Sequence, residues 1–99
     1  MPMAKYTISN INGDSKIAKR PAGYTSWIDF WEKKTGRVAS RCMCTSCDDI
    51  ATDGAHVNVE GYGRYWYITP LCHAHNMSPF TLEVEGPLVP INSEMPILW

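Results

Sequence analysis

The chain has 99 residues, enough for one domain, since domains typically run from about 50 to 250 residues. A chain of this size buries only about two-thirds of the surface its unfolded form exposes, so its core is marginal. Hydrophobic residues at 44% and charged residues at 19% exclude a disordered chain. No apolar run approaches the roughly 18 residues of a membrane span, and the first residues lack the apolar core of a signal peptide. The expectation is a cytoplasmic, non-secreted protein with no membrane partner. The net charge of −1 conceals a division. Residues 1–41 carry eight of the nine Lys and Arg against three acids, a net +5, and residues 42–99 carry only Arg64 against seven acids, a net −6.

In chain order, residues 1–24 form a polar arm in which Tyr6, Ile8 and Ile11 are the packing side chains, read as a short strand followed by a long loop. Residues 25–36 then change character. Trp27, Ile28, Phe30 and Trp31 fit one face of a short amphipathic helix, capped by Thr25 or Ser26 and stopped by Gly36, with Lys33 and Lys34 in its last turn. Residues 42–54 are turn-rich and hold three of the four cysteines. Val57 and Val59 alternate with polar neighbours, Gly61 and Gly63 mark a turn, and Arg64–Thr69 reads as the returning strand of a hairpin that Pro70 ends. Leu71–Ser78 is expected to open a short helix. Residues 78–99 add one strand, Phe80–Val84, and a tail whose Pro96-Ile97-Leu98-Trp99 end is apolar enough to pack internally or between chains.

Four cysteines in 99 residues fall below the density of a small disulfide scaffold, so they are expected to remain thiols or to bind metal. Their spacing favours metal. Cys44-Thr45-Ser46-Cys47 is answered downstream by Cys72-His73-Ala74-His75, each pair with two residues between its ligands. On a tight turn or at a helix start that spacing directs both side chains at one ion, and three thiolates with one imidazole make the closed tetrahedral set of structural zinc. Cys44, Cys47, Cys72 and His75 are the expected ligands. Cys42, with four residues between it and Cys47, competes with Cys44 as first ligand, and His56 is a further competitor; His73 should point away from the ion if His75 points in. A knuckle, a hairpin and a ligand pair opening a helix over residues 42–77 make a treble-clef zinc finger. The expected fold class is therefore a small α+β domain with that treble clef at its centre, an N-terminal arm and an amphipathic helix. Bound Zn2+ suits a marginal core, since structural zinc contributes roughly 10–16 kcal/mol of apparent binding energy in peptides.

Cys44/Cys47, then Gly54-Ala55-His56-Val57, then Leu71-Cys72-His73-Ala74-His75-Asn76 resembles the HNH endonuclease domain in its zinc-bound form, over about a third of the chain. The whole chain, from Asn10-Ile11-Asn12-Gly13 through Ser26-Trp27 to the Trp66–Asn76 stretch, also resembles small uncharacterised bacterial and phage proteins. The HNH resemblance implies a general-base role for His56 on water, and a role for Asn76 in holding a catalytic Mg2+ or Mn2+ ion. Two departures weaken that inheritance. Ala55 stands where the family has an acidic metal ligand, and Tyr67 where it has the Asn that orients the base. Asp53 is the available substitute ligand. The resemblance thus implies an HNH-like binding module that has lost its chemistry, with a metal-dependent nuclease as the alternative.

The partner expected for such a module is a protein or a nucleic acid. Tyr62, Tyr65, Trp66 and Tyr67 with Arg64 offer stacking groups, Tyr65 and Tyr67 falling on one strand face and Arg64, Trp66 and Ile68 on the other. Lys16, Lys19 and Arg20 before the helix, and Lys33, Lys34, Arg37 and Arg41 in or after it, are candidate phosphate contacts. A net charge of −1 is not that of a dedicated nucleic-acid binder.

Overall fold

A computed structural model describes residues 4–11 and 21–99. Over these residues the protein is a small α+β domain built on an antiparallel sheet with two helices. Strands β1 (Lys5–Asn10), β2 (Asp53–Val59), β3 (Tyr67–Leu71), β4 (Leu82–Glu85) and β5 (Val89–Pro90) stand in the order β4-β1-β2-β3-β5. Helix α1 (Trp27–Thr35) lies against one face, and the single turn α2 (His73–Asn76) follows β3. The basic residues Lys16, Lys19 and Arg20, and the loop expected around them, lie outside the described residues.

Helix α1 forms where its caps are. The Ser26 hydroxyl accepts from the Asp29 amide at 3.0 Å, and Gly36, at φ 73°, turns the chain out of the helix while its amide bonds Glu32 O at 2.8 Å. Lys33 bonds Asp29 at 2.8 Å one turn away. The buried stripe of Phe30 and Trp31 packs on Ile68 and Val89, with Tyr24, Trp27 and Ile97 around it. Trp31 Nε1 donates to Pro87 O at 2.9 Å, so the indole is buried without an orphaned donor.

The β2–β3 hairpin pairs Asp53 with Leu71 and Val57 with Tyr67. It departs from expectation at both ends of the returning strand. Arg64, Tyr65 and Trp66 lie in the connection before the strand, and Pro70 lies inside the strand instead of ending it. Proline is tolerated there because β5 pairs only Tyr67 and Ile68, so no continuous neighbour strand flanks β3 beyond that point. What lies beside it is the cysteine segment: Met43 N donates to Pro70 O at 3.0 Å, Glu85 N to Met43 O at 3.0 Å, and Thr45 N to Glu83 O at 3.0 Å. Residues 43–45 therefore bond both β3 and β4 and draw the two sides of the sheet together.

The alternation of the strands separates two cores. Ile8, Ala55, Val57, Val59, Tyr67, Leu71 and Val84 face inward with all four cysteines. Ile68 and Val89 face the other way, onto α1. The expected strand at Phe80–Val84 is found two residues later, as Leu82–Glu85, and Phe80 is 75% exposed. The C-terminal tail packs internally through Leu98, which exchanges backbone hydrogen bonds with Leu88, while Trp99 stays half exposed under the Arg37 guanidinium. No helix among the described residues is long and apolar enough to cross a membrane.

Candidate metal centre

Three segments converge on one point. The first is the loop 40–51, closed at its base by Cys42 N to Asp49 O at 2.8 Å and Ala51 N to Ser40 O at 3.2 Å. Its tip turns through Ser46, held at φ 64°, with Cys47 N bonded to Cys44 O at 3.2 Å. The second is the end of β3, which delivers Cys72 as the N-cap of α2. The third is α2 itself, which places His75 one turn after Cys72, so that the two share a helix face.

The ligand atoms of Cys42, Cys47, Cys72 and His75 all lie within 4.8 Å of one another. His75 Nδ1 stands 3.3 Å from Cys72 Sγ and 3.5 Å from Cys42 Sγ. These four are positioned to hold a metal ion. All four cysteines are free thiols and buried. The group contains Cys42, not Cys44, beside the three other expected ligands. The cause is the path of the chain: Cys42 takes a backbone hydrogen bond from Cys72, whereas Cys44 is bridged to Val84 on β4. Counting residues between cysteines does not register this pairing.

The thiols are electrostatically uneven. Burial alone would raise Cys42, but backbone hydrogen bonds from Cys72 and Cys44 and contacts with His75 and Cys47 outweigh it and bring the thiol down to about 7. Burial and the neighbouring sulfurs of Cys42, Cys47 and Cys72 push Cys44 up to about 12. Cys47 accepts a backbone hydrogen bond from Asp49, which favours its thiolate, yet burial and the Cys42 side chain carry it up to about 11. Crowded sulfurs of this kind hold protons on some members until a cation takes their place.

The other predicted site residues divide between the two faces of the sheet. His73 turns away from the sulfurs, as expected if His75 points in. It is 74% exposed and its Nδ1 lies 2.9 Å from Asp53 Oδ2. Asn76 Nδ2 donates to the same oxygen at 2.8 Å, and the Thr52 hydroxyl donates to Asp53 Oδ1 at 2.9 Å. Burial would raise the Asp53 carboxyl, but these hydrogen bonds outweigh it and hold it below the usual carboxylate range. On the far face, His56 is 9% exposed, its ring edge-on to Trp27 of α1 at 4.7 Å between centroids. Its Nε2 is buried with no hydrogen-bond partner among the described residues, and burial lowers its pKa. Tyr67 is 1% exposed with its hydroxyl unpartnered among the described residues, while Tyr65 lies outside the strand and is exposed.

Sequence reasoning missed the Asp53–His73–Asn76 cluster as a structural tie between β2 and α2. It also missed Asn10, whose side-chain amide donates to His75 O at 2.8 Å and Ser78 O at 3.1 Å and so steadies the ligand-bearing turn from β1. No spacing signal announces either contact. The chain matches no protein-family model, no curated protein and no solved structure.

Proposed function

We propose that the protein is a zinc-stabilised binding module in which Cys42, Cys47, Cys72 and His75 hold a structural Zn2+ in a treble-clef arrangement, and that it contacts a protein or nucleic acid without acting on it. The observation that carries this reading is the four-donor cluster of three sulfurs and one imidazole nitrogen. A zinc tetrahedron with Zn–S of about 2.3 Å and Zn–N of about 2.0–2.1 Å has S···N edges of about 3.5 Å. The His75 distances of 3.3 and 3.5 Å agree with such edges. Four protein donors fill the coordination sphere and leave no position for a reacting water, which is the mark of a structural ion. The order of a cysteine-bearing loop, the β2–β3 hairpin and a ligand pair opening α2 supports the treble clef and the HNH likeness.

The absence of chemistry rests on His56. A general base needs a route to its water, and this imidazole is shut beneath Trp27 on the opposite sheet face from Asp53 and Asn76. The half-exposed Tyr62, Tyr65 and Trp99 and the exposed Phe80 supply apolar surface for a partner. Zinc-loaded protein is therefore expected to leave supercoiled plasmid intact in Mg2+ or Mn2+, as is its His56→Ala variant. Nicking by the wild type that vanishes in His56→Ala would overturn the non-catalytic reading. Retention on immobilised DNA that weakens steeply with salt would identify nucleic acid as the partner, and passage without retention at low salt would exclude DNA.

A further inference from the structure

We propose that the groove between α1 and the segment after β5 is a docking site for an acidic segment of a partner protein. That segment seats one large apolar side chain in the groove and sets its carboxylates against Lys34 and Arg37. The proposal rests on the binding-module reading above and narrows its partner to a protein.

The groove arises from the path of the tail. Pro90 ends β5, a turn closed by Met95 N to Asn92 O at 3.0 Å carries the chain outward, and Leu98 returns to Leu88 through hydrogen bonds of 2.7 and 2.9 Å. The chain between them stands off from α1 and leaves a cavity of about 270 Å3. Its floor is buried Phe30 and Val89, and the partly buried Ile91, Met95 and Ile97 form its sides. Among the described residues, the Lys34 ammonium and the Ser93 hydroxyl are the polar side-chain groups on its lining.

The charges beside the groove indicate what fits it. Lys33 is paired with Asp29, and Arg41 with Asp48 at 3.6 Å. Lys34 and Arg37 have no ion pair among the described residues. Each lies instead over an aromatic ring, Lys34 at 5.8 Å from the Phe30 centroid and Arg37 at 5.4 Å from that of Trp99. Such contacts lay the stems along apolar surface and keep the charged heads in water. Two cations without a counter-charge, one at the mouth of an apolar groove and one three residues further on, complement a ligand that is apolar at one point and negative beside it.

The lining separates the classes of partner. Phosphates would satisfy the cations, but aliphatic walls with one hydroxyl offer little to the hydrogen-bonding edges of bases, and Phe30, buried beneath Lys34, presents no open ring for stacking. The volume falls just below the roughly 300–1,000 Å3 of small-molecule sites. It suits a single anchoring side chain of the kind that fills a pocket at the centre of a protein interface.

Selection of random phage-displayed peptides against the zinc-loaded protein tests this. The expected sequences carry one large apolar residue with Asp or Glu close beside it. A synthetic peptide of the selected sequence, titrated by fluorescence anisotropy, should bind Lys34→Glu/Arg37→Glu and Met95→Asp at least tenfold more weakly than wild type. Exchanging its acids for Lys should restore binding to the doubly charge-reversed variant. The three substituted side chains lie outside both core clusters, so zinc content and amide NMR dispersion should match wild type. Should Met95→Asp fail to fold, the charge reversal and its rescue decide alone. Selected peptides that lack acids, or that bind every variant equally, would overturn the groove and leave a binding module standing. No acidic peptide, with salt-sensitive retention on oligo(dT) that is lost in Lys34→Glu/Arg37→Glu, would assign the cations to phosphates and overturn the proposal in favour of nucleic acid. Neither peptides nor retention would remove the proposal and the binding-module reading together.

Discussion

Asp53 and His56 stand three residues apart on β2 and face opposite sides of the sheet: the Asp53 carboxylate bonds His73 and Asn76 of α2, and the His56 ring packs on Trp27 of α1. An odd separation on a strand always divides two side chains in this way. The residues that an HNH-type reaction would combine are thereby kept apart by the sheet itself.

The buried imidazole gives a pH prediction. Burial depresses the His56 pKa below its ordinary value of about 6.5. The unfolded chain therefore binds this proton more readily than the folded one, so stability is fully present above pH ~6.5 and is lost as the pH falls through the folded-state value. His56→Gln should flatten the slope of urea midpoints between about pH 7.5 and 5.5 relative to wild type. Parallel slopes in the two proteins would show that His56 charges equally in both states.

Gly54 is where α1 meets the hairpin. A Cβ there would lie 2.6 Å from Trp27 Cβ and 2.9 Å from the Ile28 backbone nitrogen, too close for either to yield without moving the helix. Gly54→Ala should cost about 1–3 kcal/mol in urea unfolding, the ordinary cost of overpacking. Zinc retention should be unchanged, because α1 packs on the face away from the sulfurs. Loss of zinc together with stability would mean that the two faces are coupled.

The helix α1 is legible in the sequence because its signals are local: an apolar stripe, a serine before it and a glycine after it. The hairpin follows from the alternation of Val57 and Val59 and from Gly61 and Gly63. The two-residue strand β5 (Val89–Pro90) carries no periodicity, and Pro70 reads as a strand end because proline usually is one. The metal group shows the limit most clearly. Cys47, Cys72 and His75 follow from spacing, but the place of Cys42 is set by Cys72 and that of Cys44 by Val84, contacts made across the fold.

Asp53 ties the ligand-bearing turn to the sheet, so its removal should be felt at the metal. Asp53→Ala loses hydrogen bonds from His73, Asn76 and Thr52. Because the His73 end is largely in solvent, the stability cost should be only about 1–2 kcal/mol. Zinc affinity, measured by chelator competition, should fall, while Asp53→Asn should recover part of the loss. An Asp53→Ala variant with wild-type affinity would show that α2 is positioned by Asn10 and the thiols alone.

Removing the metal should unfold much of the domain, since the inner core is built around the four cysteines. Chelation should broaden the amide NMR spectrum, and added zinc should restore it. Cys72→Ser should give the broadened spectrum at any zinc concentration; a dispersed spectrum from metal-free Cys72→Ser would show that the apolar core suffices without the ion.

The most direct measurement is the metal content of the purified, folded protein by elemental analysis, with the Cys47→Ser variant beside it. One zinc per wild-type chain and none in Cys47→Ser is the result expected of a centre formed by Cys42, Cys47, Cys72 and His75. A well-folded wild type with no metal, or a Cys47→Ser variant that keeps a full equivalent, would contradict it.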